Sequence, residues 1–80
     1  MKTLAQQIKA TQAKSLIKLI GYFGSQARTA AYLNVSPQVV SKWVTRGRIS
    51  AKMAMHAQVV SGNYVSREDL RPDVANWEKS

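Results

Sequence analysis

The sequence predicts an all-α domain of about five short helices. Three observations support this prediction: apolar residues recur every three to four positions, capping residues separate the apolar segments, and the 80-residue chain has no cysteine. A chain of this length buries only about 60% of its unfolded surface, which allows one small core. Without disulfides or thiolate metal sites, that core depends on helix packing and suits a reducing cytosol.

The first predicted helix ends at Gly24, which favours a left-handed cap. Apolar residues between positions 4 and 23 fall within one broad arc at 100° per residue. This period predicts helix over residues 14–23. Residues 1–13 are either a helical extension that starts near Thr3 or a mobile arm.

The second predicted helix begins after Ser25, which is a good N-cap. It stops at Asn34, a residue that tolerates the left-handed conformation of a tight turn. Its inner side is predicted to carry Ala27, Ala30, Ala31 and Leu33.

The third predicted helix has the most informative pattern. Ser36 is an N-cap, Pro37 suits the first helical position, and Gly47 ends the helix. One arc is apolar and contains Val39, Val40, Trp43 and Val44. The opposite arc is polar and contains Gln38, Ser41, Lys42 and Thr45. Trp43 and Tyr32 are predicted to fill the core rather than to stack on the bases of a single strand.

Two further elements complete the predicted domain. Ser50 caps a fourth helix, in which Met53, Ala57 and Val60 recur at helical spacing. Ser66 starts a short fifth element, either a helix or a strand pair. The chain is therefore divided into an N-terminal helical extension or arm (residues 1–13), a domain (residues 14–72) and a C-terminal tail (residues 73–80).

The charge is distributed unevenly along the chain. Residues 1–52 contain nine of the twelve Lys and Arg residues and no acid, whereas all four acids follow residue 66. The formal net charge is +8. This asymmetry favours a polyanionic partner, with nucleic acid first and an anionic membrane second.

The second and third predicted helices form the plan of a helix-turn-helix. In this motif the second helix lies in the major groove of DNA, where phosphates repel carboxylates and where Gln, Ser, Lys and Thr bond to base edges. The acid-free polar arc of residues 36–46 fits that environment. The chain is therefore expected to bind double-stranded DNA.

The same residues resemble a known family. The segment FGSQARTAAYLNVSPQVVSKWVTRGRIS resembles the helix-turn-helix of lambda-type phage Cro repressors, and VSREDLRPDV is similar to the tail of the YdaS-like group of Cro-like repressors or antitoxins. The resemblance implies a lambda-repressor-like DNA-binding fold, a homodimer on a near-palindromic operator, and the cytoplasm of a bacterial host. The chain departs from the pattern at Asn34, where Gly is common, and in its first dozen residues.

Carried onto this chain, the motif places Ala30 at the helix crossing, Asn34 in the turn, and Val35, Val40 and Trp43 in the core. Two groups of site residues are then expected. The residues expected to read bases are Ser36, Pro37, Gln38, Ser41, Lys42 and Thr45. The residues expected to hold phosphates are Gln26, Arg28, Arg46, Arg48 and Lys52.

No hydrolase, phosphate-loop or metal-binding motif occurs, and His56 is the single histidine. The chain is therefore expected to be neither an enzyme nor a metal protein, and to need no cofactor or small-molecule substrate. No apolar run approaches the roughly 20 residues that span a bilayer, so a soluble protein is expected. The resemblance implies a repressor that blocks a promoter. Two alternatives stay open: an antitoxin that binds a toxin protein through its C-terminal region, and an N-terminal helix that docks on an anionic membrane.

Overall fold

A computed structural model describes residues 3–74 of the protein. This part of the chain contains five α-helices and no β-strand, which confirms the predicted all-α class. The helices are α1 (Leu4–Phe23), α2 (Gln26–Leu33), α3 (Pro37–Arg46), α4 (Ala51–Val60) and α5 (Arg67–Leu70). The fifth element is thus a helix rather than a strand pair. None of these five helices is long and apolar enough to cross a bilayer.

The predicted capping residues mark the helix ends. A side-chain oxygen accepts a hydrogen bond from the backbone N–H three residues on at Ser25, Ser36, Ser50 and Ser66. Gly24 and Gly47 end α1 and α3 with φ of 109° and 79°, and Asn34 ends α2 with φ of 58°. These left-handed residues turn the chain sharply, so α2 and α3 are joined by only three residues.

α1 is capped by Thr3, begins at Leu4 and continues unbroken past residue 13. The Thr3 hydroxyl accepts a hydrogen bond from the Gln6 N–H (3.2 Å), and the Gln6 side chain accepts one from the Thr3 N–H (2.9 Å). This reciprocal capping box stabilises the first turn. Of the two alternatives for the N-terminal segment, the structure has the helical extension; a domain boundary at residue 13 stays a prediction.

One core holds the five helices together, and all five contribute buried apolar residues to it. α1 packs against α2, α3 and α5, and α4 packs against α2 and α5. The buried apolar residues are Leu16, Leu19, Phe23, Ala30, Leu33, Val40, Trp43, Ile49, Ala54, Ala57, Val65 and Leu70. Met53 and Val60 pack against this cluster from its edge. Trp43 is the largest of the fully buried side chains.

The prediction of which residues line the inner side of α2 is only half right. Ala30 and Leu33 are buried, but Ala27 and Ala31 are exposed and Thr29 is fully buried in their place. The three buried residues form one narrow stripe, which leaves the two other alanines more than about 100° from its centre.

The prediction that Tyr32 fills the core is wrong. Tyr32 is 60% exposed and stacks on Phe23 with 4.9 Å between the ring centroids. Its position in α2 lies about 100° from the centre of the buried stripe, so the ring covers the rim of the core instead of entering it.

Replacement of the buried indole should therefore cost far more stability than replacement of the exposed phenol. We expect Trp43→Ala to lower the free energy of unfolding by about 3 to 5 kcal/mol, because it leaves a large cavity. Tyr32→Ala, the matched control, should cost only about 0.5 to 1.5 kcal/mol for its ring contact. Urea unfolding followed by circular dichroism would measure both, and equal losses would place Trp43 outside the core.

Candidate nucleic-acid interface

The burial of α3 along one edge decides which residues face outward. Val40 and Trp43 are 0% and 2% exposed, and Val39 is partly buried beside them. Val44, which the apolar pattern placed with them, lies at the margin and is 38% exposed. The polar arc of the helix consequently faces away from the core.

The six predicted base-reading residues all lie exposed on or beside α3: Ser36, Pro37, Gln38, Ser41, Lys42 and Thr45. Two of their hydroxyls also have local roles. The Ser36 hydroxyl accepts a hydrogen bond from the Val39 N–H (3.4 Å), and the Thr45 hydroxyl donates one to the Ser41 carbonyl (3.0 Å). Because this bond uses its proton, the Thr45 hydroxyl can accept but not donate a further hydrogen bond.

Part of this face forms a shallow groove of about 210 Å³. Its lining residues are Ser41, Lys42, Thr45 and Arg46. The groove joins three of the predicted base-reading residues to one predicted phosphate-binding residue.

The five predicted phosphate-binding residues are also exposed: Gln26, Arg28, Arg46, Arg48 and Lys52. Gln26 and Arg28 lie in the first turn of α2, which contains no acidic residue. The first turn of α3 likewise has none, so no carboxylate offsets the positive ends of these two helix dipoles. Both helix starts thus suit an anion electrostatically.

Arg46 and Arg48 flank the left-handed end of α3. The Trp43 carbonyl accepts hydrogen bonds from the N–H groups of Gly47 (2.8 Å) and Arg48 (3.0 Å). These bonds fix the backbone that carries both arginines. Beside them lies a groove of about 520 Å³ whose wall is completed by Lys9, Gln12 and Ala13 of α1. Neither Lys9 nor Gln12 is among the predicted site residues.

A polar network fixes the chain behind this groove. Arg71 donates two hydrogen bonds to the Asp73 carboxylate (2.8 and 2.7 Å) and a third to the Ile49 carbonyl (3.2 Å). The amide of Gln12, which is 4% exposed, donates to the same carboxylate (2.8 Å). The network thereby ties α1, the segment between α3 and α4, and the residues after α5 to one another.

The network also shifts the ionisation of its acid. Hydrogen bonds from Arg71 lower the pKa of Asp73 to about 2, helped by the nearby positive charge and by Gln12, although burial acts in the opposite direction. The hydrogen bond to Asp73 correspondingly raises the pKa of Arg71. The carboxylate and the guanidinium are therefore both charged at neutral pH.

His56 is exposed on α4, and within residues 3–74 no group of three or more His, Asp or Glu side chains is placed to hold a metal ion. The exposed chemistry of the candidate interface consists of amides, hydroxyls and cations. Such groups donate to and accept from base edges and neutralise phosphates.

Comparison with known proteins gives the family. Residues 16–79 match the family model described as "Bacterial toxin YdaS", which covers most of the chain. The chain belongs to the YdaS family. The predicted resemblance is thus confirmed, and the segment before residue 16 lies outside the part that matches the family model.

This YdaS-family chain is also similar to a phage regulator. It is 42% identical over 63 residues to the regulatory protein cro of Pseudomonas phage D3. The aligned segment covers 76% of this chain and 84% of the phage protein. No solved structure matches the chain.

The Asp73 network predicts a specific loss of stability in acid. Because the folded pKa lies below the unfolded value of about 3.9, the contribution of this carboxylate is present above about pH 4 and is lost as the pH falls toward 2. The difference in unfolding free energy between the parent and Asp73→Asn should accordingly be constant near neutral pH and shrink below about pH 4. Asp69→Asn, an exposed acid of α5 outside the network, is the matched control. A difference for Asp73→Asn that persists unchanged to pH 2 would contradict this prediction.

Proposed function

We propose that this protein is a phage or prophage regulator that binds specific double-stranded DNA through α3 and represses a promoter by occupying it. The observation that carries the proposal is the acid-free, exposed polar face of α3, held outward by the buried Val40 and Trp43. The similarity to a phage regulatory protein supports the same reading.

The proposed contacts follow from side-chain chemistry. Gln38 has the paired donor and acceptor that fit adenine, and Lys42 can donate to guanine O6 or N7. Ser41 and Thr45 offer shorter contacts to either kind of base, and each good base contact gives about 1 to 3 kcal/mol of discrimination. Exposed cations at the helix ends set affinity and register by binding phosphates.

A symmetric homodimer is the proposed binding unit. The described chain measures 36 × 28 × 18 Å, and successive half-sites on DNA lie about 34 Å apart. Two copies can thus lie side by side on one face of the duplex. Such a pair would read a near-palindromic operator.

A role in a toxin–antitoxin pair is the second candidate. The matching family model is described as a bacterial toxin, which favours such a pair. That description names the toxin partner of a pair. The hypothesis that this chain is the antitoxin rests instead on its acidic C-terminal region. The part of that region after residue 74 lies outside the described residues. A stoichiometric protein partner recovered with the chain from its native host would favour this candidate.

Selection of bound duplexes from a random DNA library tests the proposed function directly. At about 0.15 M salt, where nonspecific electrostatic binding is weak, we expect enrichment of a near-palindrome with half-sites about one helical turn apart. Sequencing of the bound pool measures the enrichment. Strong binding at low salt without any enriched sequence would contradict the proposal and leave a surface that only binds phosphates.

Substitutions in the two predicted groups should have different effects. Gln38→Ala should flatten the preference among DNA sequences, because a base contact is lost. Arg48→Ala should weaken binding to all sequences alike and reduce the slope of log K against log salt by about one unit for each lost phosphate contact. Binding isotherms on the selected duplex and on a scrambled duplex measure both effects, with Lys14→Ala as an exposed cation control. A changed base preference in Arg48→Ala would contradict this division.

A further inference from the structure

α1 supplies one wall of the groove beside the end of α3. The groove has a volume of about 520 Å³ and is lined by Lys9, Gln12, Ala13, Arg46, Gly47 and Arg48. A water molecule occupies roughly 30 Å³ of liquid, so the groove has room for a hydrated phosphate group. Three of its six lining residues are cations, and all three are exposed.

This groove shares a lining residue with the predicted base-reading face. Arg46 lines it and also lines the groove formed by Ser41, Lys42 and Thr45. A third depression, of about 200 Å³, contains Arg46 and Arg48 again. A track of positive charge therefore leads from the exposed face of α3 past Arg46 to Lys9 on α1.

The carboxylate of the network behind the groove has its own cationic partner. Asp73 accepts hydrogen bonds from Gln12, which lines the groove, but its charge is matched by the bidentate contact from Arg71. The groove consequently keeps the net charge of Lys9, Arg46 and Arg48. Side chains of like charge that share one groove repel one another, and an anion between them relieves that repulsion.

We propose that α1 is part of the nucleic-acid interface and that Lys9 binds a phosphate of the duplex backbone beside those held by Arg46 and Arg48. The contact lengthens the protein's footprint beyond the helix-turn-helix, using a residue that lies before the part matched by the family model. This inference rests on the proposed DNA-binding function and adds a phosphate contact to it.

The Gln12–Asp73–Arg71 network gives the proposed contact its geometry. Gln12 lies three residues, almost one helical turn, from Lys9, and its side chain is joined through Asp73 and Arg71 to the Ile49 carbonyl. The wall that bears Lys9 and the segment that bears Arg48 are therefore held at a fixed separation. A rigid pair of walls avoids the loss of conformational freedom that a mobile arm would incur on binding.

The test compares Lys9→Gln with Lys14→Gln. Both lysines are exposed on α1, but position 14 lies about 140° around the helix from position 9 and does not line the groove. Binding to the selected duplex is measured between about 0.05 and 0.3 M salt. Lys9→Gln should lower the slope of log K against log salt by about 0.9 for each protomer bound and weaken binding about fivefold per protomer at 0.15 M, while Lys14→Gln should match the parent.

A second experiment locates the phosphate that Lys9 binds. Duplexes carrying one uncharged methylphosphonate linkage at successive positions around each half-site are titrated with the parent and with Lys9→Gln. At one position, the uncharged linkage should weaken binding of the parent but not of Lys9→Gln, because the variant has already lost the contact to that phosphate. Thermal melting, which should be unchanged in both exposed-site variants, separates this effect from misfolding.

The outcomes separate this inference from the proposed function. If Lys9→Gln keeps the parent slope while Arg48→Ala lowers it, α1 lies outside the interface and the inference is overturned, but DNA binding stands. Equal slope changes in Lys9→Gln and Lys14→Gln would also overturn it, because they would reflect total charge alone. If the parent enriches no duplex, the proposed function fails and this inference fails with it.

Discussion

The burial of the Trp43 side chain under α3 is the constraint on which the candidate interface depends. A helix with one apolar edge has a single orientation that removes this edge from water, and Val40 shares that edge. Once the indole is buried, Gln38, Ser41 and Lys42 have no alternative to the outer face. The surface that we propose for DNA thus results from core packing and not from any attraction between its own polar residues. The short turn keeps α2, which carries the exposed Gln26 and Arg28 at its start, packed against α3.

Local chemistry allowed much of this architecture to be predicted. Serine caps, glycine and asparagine stops and Pro37 act through the backbone within a few residues, so their effects can be read from a short stretch of sequence. All predicted site residues are exposed for the related reason that a polar arc opposite an apolar one must face water. The prediction failed at Tyr32 because it relied on the size of the ring, whereas the position of the residue, about 100° around α2 from the centre of the buried stripe, leaves the ring exposed.

What the sequence could not reveal is which distant residues meet. Gln12 and Asp73 are 61 positions apart and bond at 2.8 Å, and Lys9 shares a groove with Arg46 and Arg48. No period or motif encodes such pairings, because they follow from how α1 crosses the rest of the fold. Isolated apolar residues were missed for a similar reason: Ile49 and Val65 lie in connections too short to show a repeat, although both are almost fully buried. The groove that Lys9 shares with Arg46 and Arg48 was likewise not predicted.

The network around Asp73 has a consequence for the order in which the protein is made. Translation proceeds from the N-terminus, so all of α1 to α4, including the complete helix-turn-helix, is synthesised before Arg71 and Asp73. Until those two residues emerge from the ribosome, the Ile49 carbonyl and the Gln12 amide lack the partners that they have in the folded chain. The chain thus contains the whole of α3 before it contains the two residues whose tie fixes the segment carrying Arg48. A chain truncated before Arg71 would keep every predicted base-reading residue but would lack the hydrogen bonds that join α1 to the segment after α3.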